Sequence, residues 1–115
     1  MIRSLLFWTL FPFVLPQAIR VRNDAPRFPG AGGPKEGATG EGPPLRLLAV
    51  GDSIIAGVGA ESLSKALVGQ TAAWLADLLG CRIDWTARGS IGADSNKILH
   101  RLVPSLPEPE ADVII

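Results

Sequence analysis

An α/β fold with a parallel sheet is predicted for residues 45–115, and three observations predict it. Strand-length apolar runs occur at Leu45–Val50, Cys81–Thr86 and Ala111–Ile115. Between them lie stretches whose apolar residues recur at helical spacing. Glycine-rich turns follow the first two runs. Strand, helix, strand, helix, strand in this order implies parallel strands joined by crossover helices.

The chain opens on a different kind of segment. Residues Ser4–Ile19 carry no charge and are rich in Leu, Phe and Trp, with Arg3 before them and Arg20, Arg22 and Arg27 after. The uncharged stretch is shorter than the ~20 residues of a usual spanning helix, and Pro12 and Pro16 are expected to interrupt it. Residues 1–28 are read as a short membrane anchor. By the positive-inside rule the arginines after the apolar run would hold the downstream domain on the cytoplasmic side. An exported protein with a signal peptide is the alternative, although Pro16-Gln17-Ala18 makes a poor cleavage pattern. Trp8 suits a membrane interface.

Residues 29–44 are dominated by glycine and proline, from Pro29-Gly30-Ala31-Gly32-Gly33-Pro34 to Gly42-Pro43-Pro44. Such composition buries too little apolar surface to offset chain entropy, so a flexible tether is expected, with the domain boundary near Leu45.

Within the domain, Leu45–Val50 is apolar apart from Arg46, as in a strand covered on both faces. Gly51–Gly59 is a loop. A helix is expected from about Ser64 to Leu79, with Leu67, Thr71, Trp74, Leu75 and Leu78 on its apolar face and Gly80 as its stop. Cys81–Thr86 is the second strand, with Ile83 and Trp85 on one face. Trp74 and Trp85 are both expected in the core. Asp94 or Ser95 caps the next helix, which carries Ile98, Leu99, Leu102 and Val103 before Pro104. Leu106–Glu110 is a proline-interrupted connector in which Glu108 and Glu110 are solvated. Ala111–Ile115 opens a third strand, and a parallel domain ending there is expected to be incomplete.

Composition narrows the function. Net charge is +0 and the sequence pI about 6.6, with no basic stripe, so nucleic acid is not an expected partner. Cys81 is the only cysteine, which excludes an internal disulfide and a cysteine-rich metal site. Gly57-Val58-Gly59 lacks the third glycine of a dinucleotide fingerprint, and Lys65 lies outside any phosphate-loop frame. No metal or cofactor is expected.

The chemistry-bearing residues sit in the two turns. Gly51-Asp52-Ser53-Ile54 places a serine hydroxyl where a strand ends, the edge at which open α/β sheets bind ligands. Serine needs a base, an orienter for that base and donors for the developing oxyanion. The backbone N–H groups of Ser53 and Gly92 are candidate donors, each worth roughly 3 kcal/mol. By spacing alone this is weak: Ile55 stands where a Gly-x-Ser-x-Gly elbow has its last glycine, and an Asp-Ser pair after a strand is more often a turn or cap. His100, between Leu99 and Arg101, is read as a helix residue rather than a base, and Asp94 as a cap rather than a triad acid.

Leu48-Ala49-Val50-Gly51-Asp52-Ser53-Ile54-Ile55-Ala56-Gly57-Val58-Gly59 resembles the first block of the SGNH, or GDSL-type, hydrolases. Gly89-Ser90-Ile91-Gly92-Ala93-Asp94-Ser95 resembles their second block, and Ala111–Ile115 the strand leading to their third. The resemblance implies a flavodoxin-like three-layer α/β/α sandwich, cut off after its third strand. It also implies a cofactor-free serine esterase or lipase, with Ser53 as nucleophile, Ser53 and Gly92 in the oxyanion hole, and Gly51 and Asp52 supporting the turn. The substrate would be a small-molecule or lipid ester. The family's oxyanion asparagine and its Asp-x-x-His pair have no counterpart in these residues, so the 115-residue chain itself is expected to be nearly inactive. The alternative is a non-catalytic membrane-associated or interaction protein that retains the front half of a hydrolase fold.

Overall fold

The computed structural model describes residues 1–106 and 110–115. Pro107–Pro109 lie outside the described residues, and with them Glu108 and the middle of the expected connector.

The N-terminal segment is a single helix, α1 (Ile2–Asp24), of 23 residues. It runs through Pro12 and Pro16 instead of breaking at them. The two prolines are four apart, so their missing N–H groups fall on one side of the helix, and the fixed φ of proline is itself helical. Phe7, Trp8 and Phe11 pack edge to face or tilted against one another. No residue of α1 is buried. At 1.5 Å per residue it spans about 35 Å, against a hydrocarbon core of about 30 Å. The helix is long and apolar enough to cross a membrane, and a signal sequence has the same character.

The domain is mixed α/β, with a four-stranded sheet ordered β1-β3-β2-β4: β1 (Glu36–Thr39), β2 (Pro44–Gly51), β3 (Arg82–Gly89) and β4 (Val113–Ile114). β2 and β3 pair in parallel along their whole length, from Pro44 opposite Arg82 to Gly51 opposite Gly89. β4 pairs in parallel with the other side of β2, Leu47 opposite Val113. β1 is antiparallel to β3, so the sheet is mostly, and not wholly, parallel.

β1 corrects the reading of residues 29–44 as a flexible tether. Gly37 lies opposite Trp85, and a Cβ on it would stand 2.6 Å from the indole Cζ2. A glycine at that place lets the strand pass beside the indole. The ladder hydrogen bonds to β3 then supply what the segment's composition lacks.

One helix, α2 (Leu67–Leu79), packs on β3 and β1 and ends at Gly80 in the left-handed conformation, as its sequence predicts. It starts three residues later than expected, because Ser62–Ala66 is taken up by tight turns. The buried face is also a correction. Val68, Gly69, Ala72 and Ala76 meet the sheet, whereas Leu67, Trp74 and Leu78 face outward and Trp74 is 76% exposed. The sheet already presents Leu47, Ile83 and Trp85, so small helical side chains fill the remaining space and admit close approach. Ala49, Ala87, Ile55, Leu63 and Ala66 complete this core.

After β3 the chain forms one helical turn, α3 (Ser95–Lys97), which loosens into a π turn at Ile98–Leu102 and tightens at Val103–Ser105. Asp94 caps it, accepting a hydrogen bond from the Lys97 N–H at 2.8 Å. Ile98 and Leu102 are half-buried, while Leu99 and Val103 are exposed. Glu110 is exposed, and its carbonyl accepts from Arg46.

Candidate functional site at the C-terminal edge of the sheet

Two adjacent parallel strands end at the same level, with Gly51 and Gly89 as register partners. Each is followed by a turn, so both glycine-rich turns emerge side by side at one edge.

The first turn is held by its own backbone. Asp52 O accepts from Ala56 N at 3.0 Å, Ser53 O from Val58 N at 3.1 Å and Ile54 O from Gly57 N at 3.1 Å. The Asp52 carboxylate folds back to accept the Ile54 N–H at 2.9 Å, an Asx turn that fixes the peptide on either side of Ser53. Ile55 turns inward into the core, in space left by Gly51: a Cβ there would lie 2.7 Å from Ile55 Cγ1. Ile55 thus fastens the turn to the core at the place where the serine-hydrolase elbow motif has glycine.

Ser53 is half-buried and lines a shallow cavity of about 380 Å³ with Ile54, Gly57, Val58, Ala60, Ala66 and Leu67. Its hydroxyl and its N–H have no hydrogen-bond partner among the described residues.

The second turn is tied to the first. Ser90 donates its N–H to Gly51 O at 3.0 Å. Ala93 N then donates to Ser90 O at 3.1 Å, closing a turn in which Gly92 has φ +72. With Ile91 at negative φ, this is a type II turn, whose third position favours glycine. The Gly92 N–H donates to no acceptor among the described residues, and a Cβ on Gly92 would meet open space.

The fold therefore brings the Ser53 and Gly92 turns to one edge, with Gly51 and Asp52 supporting the first of them. It does not bring His100 to them. His100 is exposed on the π turn and does not line the Ser53 cavity. Asp94 is occupied as a cap.

Sequence reasoning missed one residue that assembles the edge, Gly89. Its absent side chain lets the end of β3 pass directly under Ile55 and Ala56. The available signal was a glycine at the last strand position before the second turn. Comparison with known protein families, with curated proteins and with solved structures finds no match to this chain.

Proposed function

We propose that the Ser53 edge is the nucleophile side of a serine ester hydrolase of SGNH type on a flavodoxin-like sandwich. The observation that supports this best is the Ser90–Gly51 hydrogen bond, which holds a half-buried serine beside the Gly92 turn, the Ser53 hydroxyl and the Gly92 N–H having no partner among the described residues. In the proposed reaction Ser53 Oγ attacks the ester carbonyl carbon while its proton passes to a base. The N–H groups of Ser53 and Gly92 receive the oxyanion. The carbon–oxygen bond to the alcohol then breaks, the base protonates that alcohol, and water releases the acyl group from Ser53.

The chemistry needs a base, and the Asp-x-x-His pair that would supply it has no counterpart among these residues. The sole histidine is His100, and Lys97 occupies the position an Asp-x-x-His pair gives to aspartate. Without a base, turnover is expected to fall on the order of a millionfold. Helix α1 serves as a membrane anchor in this reading, with the arginines Arg20, Arg22 and Arg27 at its exit.

The test is labelling of the gene product, in its native source, with a fluorophosphonate probe. A covalent adduct on Ser53 that disappears in Ser53→Ala is the expected result. An adduct that persists in Ser53→Ala, or no adduct on the folded protein, overturns the reading. The second case leaves a non-catalytic interaction protein, which the outward-facing Trp74 and Leu78 favour.

A further inference from the structure

The route by which the chain enters the domain orients the Ser53 edge. After α1 ends at Asp24, the first residues to dock are Gly30 and Ala31, and both dock on the Ser53 turn. Ala31 N donates to Ala56 O at 2.9 Å, and Gly32 N to Glu61 O at 3.2 Å. Gly30 lies so close that a Cβ on it would stand 3.0 Å from Ala56 O.

Only residues 25–29 and the step to Gly30 separate the helix from this attachment, a reach of at most about 20 Å. The eight residues of β2 span about 26 Å. With α1 in a bilayer, the C-terminal edge of the sheet therefore lies within reach of the surface. The opposite edge, at Pro44 and Arg82, does not come down to it unless the tether runs the length of the sheet.

The same edge is apolar where a soluble domain has no need of it. Ile54 beside Ser53 is 63% exposed, Ile91 in the second turn 53%, and Leu67, on the rim of the Ser53 cavity, 49%. Phe28, in the tether itself, is exposed as well. Arg27 next to it suits the anionic headgroups of a membrane surface.

We propose that the edge carrying Ser53, Ile54, Leu67 and Ile91 seats on the bilayer that α1 enters, so that the ester reaching Ser53 is an amphiphile drawn from that bilayer. The substrate clause rests on the hydrolase reading above, and the docking on the reading of α1 as a membrane anchor.

The test uses the full chain with Cys81→Ser, reconstituted in phosphatidylcholine–phosphatidylglycerol vesicles. A single cysteine is introduced by Ile54→Cys, by Ile91→Cys, or, at the opposite edge, by Glu41→Cys. Each carries an environment-sensitive fluorophore, and quenching by doxyl-labelled lipid is compared. Several-fold stronger quenching at positions 54 and 91 than at 41 is the expected result. Equal quenching at all three positions, or none at 54 and 91, overturns the docking. In the native gene product, hydrolysis of a vesicle-borne long-chain ester should exceed that of its water-soluble short-chain counterpart at least tenfold. Equal rates overturn the substrate clause. Absence of both activities fails the hydrolase reading, and the substrate clause with it, while the quenching pattern decides the docking separately.

Discussion

The backbone of Gly89 runs so close to Ala56 that a Cβ on the glycine would stand 2.1 Å from the Ala56 nitrogen. No real Cβ occupies such a position, and the obstacle is main chain, which cannot swing away. The contact locks the end of β3 to the turn that presents Ser53, and with the Ser90–Gly51 hydrogen bond it makes one unit of the two turns.

Gly89→Ala is therefore expected to destabilise the domain by about 3 kcal/mol, at the upper end of overpacking costs. Gly59→Ala is the control. Gly59 has φ +85 but open space around it, so only backbone strain of about 1–2 kcal/mol applies. Urea denaturation of the detergent-solubilised chain measures both, and equal midpoints for the two variants would remove the steric explanation.

Asp52 supports Ser53 through the Asx hydrogen bond to Ile54 N–H. Asp52→Ala should cost about 0.5–1.5 kcal/mol and slow fluorophosphonate labelling of Ser53 in the gene product. Asp52→Asn keeps an acceptor oxygen in the same place and should restore most of the labelling rate. If Asn behaves like Ala, the carboxylate acts through its charge and not through this bond.

The Asp94 cap is a local device whose worth can be isolated. Asp94→Ala removes the acceptor for Lys97 N–H and is expected to cost about 1 kcal/mol, whereas Asp94→Ser should be nearly neutral. Thermal unfolding by circular dichroism distinguishes them, and an Asp94→Ala midpoint unchanged from the parent would mean that the turn needs no cap.

Trp74 and Trp85 give opposite expectations from the same residue type. Trp85 is 5% exposed within the core, and Trp85→Ala should cost about 3–5 kcal/mol. Trp74→Ala should change stability by no more than about 0.5 kcal/mol. Iodide should quench Trp74 fluorescence and leave Trp85 nearly untouched. A Trp74 that is shielded in the monomeric chain would mean that α2 packs the other way round.

Several features followed from neighbouring residues alone. The apolar run before Gly51, the alternation at Ile83 and Trp85, the Gly80 stop and the Asp94 cap each depend on a few adjacent side chains, and each is present in the structure. The helix over Pro12 and Pro16 was not readable in this way, since proline disfavours a helix interior only on average, and a spacing of four confines the lost hydrogen bonds to one side. The two turns of the candidate site stood out in the sequence as glycine clusters. Their being neighbours did not, because it depends on the register of β2 against β3.

By itself the sequence determined the order of the domain's parallel strands, the helix between the first two of them, the apolar character of the N-terminal segment, and the places where turns fall. These are outcomes of propensity, periodicity and capping within one short stretch. Only the tertiary structure decided which face of α2 is buried, since both faces carry apolar residues and the choice depends on the bulk that Leu47, Ile83 and Trp85 already bring. Only it turned a glycine- and proline-rich segment into β1 and fixed that segment's attachment to the Ser53 turn. A strand of four residues with almost no apolar side chain has no stability of its own. It exists because β3 offers an open row of hydrogen-bonding groups and because Gly37 makes room for the Trp85 indole.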